Sequence, residues 1–439
     1  MSLGLLGRIN DFRKSNKKID DIVTTEMMHP YGLAPLDYIN GYTVTTYDEF
    51  DQPVMQTDLI GGVSGSLTTV IGNTGTGKSA IGAQMSAAPI YRFKLNTAVN
   101  HYDIEQASSL QRIMMGLKIP PSILKHTYQI TRDRGAEDIV DHFIDHCMTK
   151  INNRKEFTYN TGVYDVFGNE IIEMYPSSAL LDSFALFKSK KLDLGEKSVD
   201  DVTNNMVGAQ AAKFNKGVLI QMLGYAKKAN VSLFSINHID QNVNTSFLPK
   251  PSQQMYLGQD EHMPGGQASL FLANNILKLK YMKKYDISKP DTMEYGIPGF
   301  IVEARYLKSR TNASNIPVRL IFDQRVGSFS KTLTLLHFAI ENSVLQGSAT
   351  SMYIPGLESV KFRKKNFMDV AAKSPEILMA LYEACMPNLR ALLSNDTRGL
   401  ARSESDSDRF DAYTLAIEES IRDAEFYKKN NFDKLGWVL

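Results

Sequence analysis

The strongest chemical signal in the chain is a glycine-rich octapeptide that ends in lysine and serine. Its spacing matches a phosphate-binding loop at every position. Glycines let backbone N–H groups turn inward around a phosphate, Lys78 places a charge between the β- and γ-phosphates, and Ser79 offers its hydroxyl to Mg²⁺. The sequence therefore predicts that ATP and Mg²⁺ bind at Gly72, Asn73, Thr74, Gly75, Thr76, Gly77, Lys78 and Ser79.

The residues on either side of this octapeptide predict the elements that such a loop needs. Before it, Leu67–Ile71 is an uncharged run rich in β-branched residues, which is typical of a buried strand. After it, residues 78–88 predict a helix, whose positive N-terminus would face the phosphates.

Two other predicted strands end in carboxylates that suit phosphoryl transfer. Asp182 follows the apolar run Ala179–Leu181 and is predicted to hold Mg²⁺ through water. Glu105 follows the strand Ala98–Tyr102 and is predicted to align and deprotonate the water that attacks the γ-phosphate. Asp103 competes for this role, and the residues alone do not decide between the two carboxylates.

A histidine ends the fourth predicted strand, Val231–Ile236. A polar side chain at the carboxyl end of such a strand can reach a nucleotide, which makes His238 a candidate catalytic residue. The same position also fits a histidine that only finds hydrogen-bond partners at a strand terminus and has no catalytic role. The residue pattern leaves both interpretations open.

Strands and helices alternate through the middle of the chain, which predicts an α/β fold with a mostly parallel sheet covered on both faces. We assign residues 56–340 to a phosphate-loop ATPase core and residues 155–178 to an inserted β-hairpin within it. Residues 1–55, which look largely irregular, form a predicted N-terminal oligomerisation segment.

The pattern changes after about residue 345. Apolar residues recur at helical spacing in residues 367–393 and 412–427, and the polar stretch between them reads as a linker. Residues 341–439 are therefore predicted to form a separate helical C-terminal domain.

The composition excludes several classes of protein. The 439 residues carry a net charge of only +1, so a polyanion site would have to be local. The two cysteines, Cys147 and Cys385, suggest neither a disulfide framework nor a zinc site, which favours a reducing cytoplasm. No uncharged apolar run approaches the roughly 20 residues of a membrane span, and the N-terminal apolar run is too short for a signal peptide.

The order of these motifs resembles the RecA family of recombinases, most closely its phage-encoded UvsX-type members. The family has a phosphate loop, a strand that ends in a catalytic glutamate, and a strand that ends in Asp–Ser, matched here by Asp182–Ser183. Further on come strands that end in Ile–Asn–His and Lys–Ser–Arg, matched by Ile236–His238 and Lys308–Arg310. The similarity spans about residues 55–335 and implies a RecA-like core.

The resemblance also implies two DNA-binding loops. The first contains Ser–Lys–Lys in UvsX-type proteins, matched by Ser189–Lys191, and the second is glycine-rich and corresponds to residues 239–267. Lysines would contact phosphates, and aromatic side chains would stack on bases. The predicted DNA-binding residues are Lys188, Lys190, Lys191, Phe247, Tyr256, Gly265 and Gly266.

The function that this resemblance implies is homologous recombination. Subunits would form a helical filament on single-stranded DNA, engage double-stranded DNA during strand exchange, and hydrolyse ATP with Glu105. Lys308 and Arg310 would contact ATP bound by the neighbouring subunit, and His238 would sense the γ-phosphate. The cytoplasm of the host cell is the expected setting for a phage-encoded protein.

Two other functions fit parts of the same pattern. A hexameric helicase with a RecA-type core would share the phosphate loop and Asp182, although such helicases usually carry a larger N-terminal helical domain. A scaffold that binds ATP only to assemble would not need Lys78, Asp182 and Glu105 all to be present.

Overall fold

The fold is taken from a computed structural model, which describes residues 26–119, 121–132, 135–187, 205–241, 253–264, 267–282, 291–374 and 376–394. Several predictions lie outside these residues. They concern the helix at 412–427, residues 1–25 of the N-terminal segment, and the DNA-binding residues Lys188, Lys190, Lys191, Phe247, Gly265 and Gly266.

The strands alternate with helices along the described chain. The helices are α1 (Ala34–Tyr38), α2 (Lys78–Phe93), α3 (Leu110–Leu117), α4 (Pro121–Thr127), α5 (Ala136–Asn152), α6 (Asn205–Ala229), α7 (Ala268–Leu272), α8 (Lys331–Glu341), α9 (Phe367–Lys373) and α10 (Glu376–Arg390). Short 3₁₀ turns occur at Lys94–Asn96, Arg154–Glu156, Phe184–Leu186, Asp291–Tyr295 and Lys364–Asn366.

The strands divide into one large sheet and several small pairs. The strands are β1 (Met28–His29), β2 (Tyr42–Tyr47), β3 (Pro53–Leu59), β4 (Gly62–Val63), β5 (Leu67–Gly72), β6 (Val99–Asp103), β7 (Tyr128–Thr131), β8 (Thr158–Tyr164), β9 (Glu170–Met174), β10 (Ser177–Asp182), β11 (Val231–His238), β12 (Asp240–Gln241), β13 (Glu261–His262), β14 (Asn275–Tyr281), β15 (Gly299–Lys308), β16 (Pro317–Asp323), β17 (Ser328–Phe329), β18 (Gln346–Ser348) and β19 (Ser351–Tyr353).

The large sheet has nine strands within the described residues, in the order β17-β16-β15-β14-β5-β11-β10-β6-β7. The strands from β14 to β7 run parallel, and β15, β16 and β17 extend the sheet in antiparallel fashion. The molecule is therefore a mixed α/β fold with a large, mostly parallel central sheet flanked by helices.

Side chains alternate between the two faces of this sheet and form two apolar layers. Leu67, Ile71 and Leu181 pack on one face with residues of α5 and α6. Val70 and Leu180 pack on the other face with residues of α1 and α2. Because both faces are covered, the central strands read as nearly continuous apolar runs, which is why the sequence predicted them.

The C-terminal helices pack against the rest of the chain. One apolar cluster joins residues of α8, α9 and α10 to Tyr38, Ile60 and Tyr295. Thr43 N donates to Ser394 O at 2.9 Å, and Arg390 forms an ion pair with Asp58 at 3.1 Å. The predicted domain boundaries lie near residues 55 and 340. Residues before, between and after these boundaries contribute to this one apolar cluster.

Three local predictions were wrong. The stretch before Ile60 is not irregular, because β2 and β3 pair as an antiparallel hairpin there. Strand β7 was missed; it is only four residues long. The helix at 367–393 is two helices, since Ser374 has φ −134° and ψ 76° and the following residue in sequence, Pro375, disfavours helical geometry before it.

The segment at 155–178 contains β8 and β9, which pair antiparallel. Asn230 Nδ2 donates to Met174 O at 2.6 Å and Lys150 Nζ donates to Tyr175 O at 2.8 Å, so polar contacts attach this hairpin to the core. No helix among the described residues is long and apolar enough to cross a membrane.

Candidate phosphate-binding site

The predicted site residues gather at one edge of the large sheet. His238 lies opposite Gly72 in the pairing of β11 with β5, and Asp182 lies opposite Asp103 in the pairing of β10 with β6. Because these strands are parallel, their carboxyl ends share an edge, and this is where α/β sheets bind ligands.

The loop between β5 and α2 needs its glycines for two different reasons. Gly77 has φ +85°, and a Cβ there would lie 2.9 Å from the Phe329 ring. A Cβ on Gly72 would lie 2.6 Å from Leu279 O. The neighbouring strands therefore press so closely on the loop that a side chain at either position would force the backbone to move.

Lys78 is held inside the loop that it is predicted to serve. Its Nζ donates to Asn73 O at 2.8 Å, and the residue is only 5% exposed. Burial lowers the pKa of Lys78 to about 8, and the nearby carboxylates of Asp182, Glu105 and Asp240 oppose this shift. The negative charge of these three carboxylates thus favours the ammonium form, which burial disfavours.

Asp182 and Ser79 form the second part of the site. The Ser79 hydroxyl lies beside the Asp182 carboxyl group and favours its charged form, while Asp182 Oδ1 is buried and has no partner in the described part of the chain. Burial raises the pKa of Asp182 to about 6, although the nearby Ser79 hydroxyl opposes the shift. An orphaned buried oxygen beside a hydroxyl and a lysine fits Mg²⁺, which takes few protein ligands and completes its shell with water and phosphate.

The structure distinguishes the two carboxylates that follow β6. Glu105 Oε1 lies 3.1 Å from His238 Nε2, and both side chains are partly open to solvent. Asp103 instead accepts hydrogen bonds from Arg132 Nε at 2.9 Å and Ser108 N at 3.0 Å. Although burial opposes ionisation, these bonds hold the pKa of Asp103 below its usual range. Asp103 therefore fixes the turn, and Glu105 is the carboxylate available for chemistry.

A cavity of about 260 Å³ opens beside Ser79 and Asp182. It lies between α2, α3 and the turn from β16 to β17. Among its lining atoms, His101 Nε2 and Ser328 Oγ are buried and have no partner within the described chain. Its walls are mixed polar and apolar, as a small-molecule site requires. The lining includes Ala80, Gln84, Arg112, Phe322 and Gly327.

Several side chains that shape this site were not predicted. Gln84 of α2 donates from Nε2 to Phe329 O and accepts from Phe329 N, both at 2.8 Å, which ties the edge strand β17 to the loop helix. Tyr281 ends β14 with its hydroxyl against Gly75, where a Cβ would lie 2.8 Å away. A glutamine among the small and apolar residues in the middle of α2 was the sequence signal for the first contact.

Lys308 and Arg310 do not join the loop of their own chain. Lys308 pairs with Ile276 of β14, and Ile276 pairs in turn with Thr69 of β5. Thr69 lies three residues before Gly72, where the loop begins. Its Nζ donates to Phe271 O at 2.8 Å, at the end of α7. Arg310 follows it in the chain and is exposed.

The described part of the second predicted DNA loop packs against the core. Asn237 Nδ2 donates to Pro264 O at 3.0 Å, and Lys278 Nζ bonds both Glu261 oxygens at 2.6 Å. Tyr256 has φ +68°, remains 39% exposed, and lies with its ring 5.8 Å from Lys308 Nζ. Among the predicted DNA-binding residues, Tyr256 is the one that the structure describes.

Comparison with protein families and with curated proteins identifies no relative of this chain. No family model matches it, and no curated protein matches it significantly. A phosphate loop alone is shared by many ATPases, so a functional proposal has to rest on the ordered motifs and on the geometry of the site.

Proposed function

We propose that this protein binds ATP at Gly72–Ser79 and hydrolyses it. The observation that carries this proposal is the meeting of three groups at one sheet edge: the buried Lys78, the neighbouring Ser79 and Asp182, and the hydrogen-bonded pair Glu105 and His238. Each group has the chemistry that phosphoryl transfer needs. The cavity beside Ser79 has room for the nucleoside part of ATP.

The roles of the residues follow from their positions. Lys78 and the loop amides bind the phosphates and stabilise charge that develops on them. Glu105 orients the attacking water and accepts its proton, and His238 holds the Glu105 carboxylate. Ser79 and Asp182 would hold Mg²⁺, which neutralises negative charge on the phosphates.

We further propose that hydrolysis serves a RecA-type DNA recombinase, a DNA-dependent ATPase that forms helical filaments on single-stranded DNA. Support comes from the order of the motifs and from the position of Lys308 and Arg310 away from the loop, which suits contact with ATP on a neighbouring subunit. Both predicted DNA loops follow strands, β10 and β11, that end at the phosphate site. A change in the bound phosphates can therefore shift the conformation of both loops.

The test is to measure ATP hydrolysis with and without single-stranded DNA and to image the same samples by negative-stain electron microscopy. The proposal expects hydrolysis to rise with DNA and helical filaments to form. Closed rings would favour the hexameric helicase instead. Discrete particles whose hydrolysis ignores DNA would contradict both DNA-dependent functions and leave only an ATPase.

A further inference from the structure

Two β-hairpins pack together into one unit on the outside of the core. We call residues 42–59 and 158–174 the two-hairpin unit. Thr46 Oγ1 donates to Asp165 O and Tyr47 N donates to Val166 O, both at 3.2 Å. Val44, Leu59 and Val163 bury a small apolar cluster between the hairpins, together with Met27, Met28 and Val63. The turns of the two hairpins therefore lie side by side.

The end of this unit exposes large apolar side chains. Tyr47, Phe50, Val54 and Phe167 are 44%, 73%, 54% and 71% exposed. Tyr47 pairs with Pro53, next to Val54, and its amide bonds the carbonyl of the residue before Phe167. These four exposed residues thus lie together at the end of the unit, which we call the tip. Single exposed apolar residues are ordinary, but a group of them marks a binding surface.

The tip is hydrogen-bonded within its turn and acidic. Asp48 Oδ1 accepts from Phe50 N and from Gln52 N, each at 2.9 Å, and so fixes the turn that presents the Phe50 ring. Asp48, Glu49 and Asp51 are exposed, and the two-hairpin unit contains no lysine or arginine. The negative charge disfavours nucleic acid and favours a partner that is both apolar and basic.

The chain itself contains such a partner. Residues 5–18 lie outside the described residues, and their sequence has Leu5, Leu6, Ile9 and Phe12 at helical spacing. The same stretch has five basic residues, Arg8, Arg13, Lys14, Lys17 and Lys18, against the single acid Asp11, which gives a net charge of 5 − 1 = +4. This charge opposes the three carboxylates of the tip.

The connection is long enough for docking within one molecule. Glu26 O accepts a 2.7 Å hydrogen bond from the Tyr42 hydroxyl, at the start of β2. From Tyr42 to Tyr47 the strand covers roughly 17 Å. Residues 19–25 can span up to about 24 Å when extended, so residues 5–18 can reach the tip of their own chain.

We propose that residues 5–18 dock on the acidic, aromatic tip formed by Tyr47, Phe50, Val54 and Phe167 of the same molecule. This docking goes beyond the proposed ATPase and does not depend on it. Its apolar side chains would cover Phe50 and Phe167, while its lysines and arginines would face Asp48, Glu49 and Asp51.

Limited trypsin digestion of the full chain, read by mass spectrometry, tests the docking, because the segment carries its own cleavage sites. Cleavage of a docked segment follows the population of the released form. The double variant Phe50→Ser/Phe167→Ser is expected to speed cleavage after residues 13–18 by roughly tenfold or more. High salt should also speed cleavage of the wild type. Phe271→Ser, which changes another exposed phenylalanine (60% exposed) on α7, should leave the rate unchanged.

Two results would overturn the proposal. Equal cleavage rates in the wild type and the double variant would mean that the tip does not protect the segment. Protection that is lost on dilution would mean that the occupant comes from a second copy of the chain. Protection that is independent of protein concentration, and lost in the double variant alone, supports docking within the molecule.

Discussion

At the residue scale, the pKa values of two ionisable groups at the phosphate loop are shifted in the direction that favours the neutral form. Burial lowers the pKa of Lys78 to about 8 and raises that of Asp182 to about 6. A bound polyphosphate would favour the charged lysine, and a bound cation would favour the charged carboxylate. Without ligand, both groups therefore lie in surroundings that favour their neutral forms, and a bound nucleotide and cation would favour the charged forms. Strongly shifted pKa values of this kind are typical of functional sites.

The pKa of Asp182 predicts how the metal requirement depends on pH. A metal binds the carboxylate and not the carboxylic acid, so below about pH 6 protons compete with Mg²⁺. We expect the Mg²⁺ concentration for half-maximal ATP hydrolysis to rise as pH falls from about 7 to about 5. Titrating Mg²⁺ at each pH checks this.

The Asp182→Asn variant serves as the control for that titration. It should need more Mg²⁺ than the wild type at about pH 7, and its requirement should rise less as the pH falls, because the amide does not titrate there. A wild-type requirement that is the same at both ends of the range would remove Asp182 from the metal site.

The sequence identified the reactive residue types but could not choose between neighbours. Glu105 and Asp103 lie two residues apart, and both follow the same strand. The distinction comes from Arg132, which is far along the chain and bonds Asp103 at 2.9 Å, and from His238, which bonds Glu105. Tertiary partners of this kind leave no local pattern in the sequence.

At the scale of elements, the central strands were predictable because burial on both faces makes them mostly apolar. Hairpin β2–β3 was missed because the charged and turn-forming residues 48–53 separate its strands, and β7 was missed because it is very short. The cavity between α2 and α3 was beyond prediction, since it depends on how β17 is tied to α2 through Gln84.

Lys150 ties the chain just after the β8–β9 hairpin to the core. Its buried Nζ donates to Tyr175 O at 2.8 Å, Ser177 Oγ at 3.1 Å and Asn230 O at 3.4 Å. Lys150→Met removes all three of these hydrogen bonds from a buried site and should lower the free energy of unfolding by about 2 kcal/mol. Urea denaturation measures this change.

The matched control is Lys155→Met, at an exposed position in the following turn. It should change the free energy of unfolding by less than about 0.5 kcal/mol. If Lys150→Met is as stable as this control, the three hydrogen bonds contribute nothing that a packed methionine cannot replace.

At the scale of the whole molecule, both ends of the described chain pack on the same sheet. Asn312 Nδ2 donates to Leu392 O at 2.7 Å, so the residues just after α10 contact the turn that follows β15. Lys308 and Arg310 lie in this region, away from the phosphate loop. In the proposed filament, such a surface would face the ATP of a neighbouring subunit, which would make hydrolysis sensitive to assembly.

The most direct test of the central claim compares ATP binding and single-turnover hydrolysis in the wild type and Glu105→Gln. If Glu105 activates the water at this site, the variant should bind ATP as tightly as the wild type and hydrolyse it at least about 100-fold more slowly. Hydrolysis at the wild-type rate in Glu105→Gln would contradict the site described here.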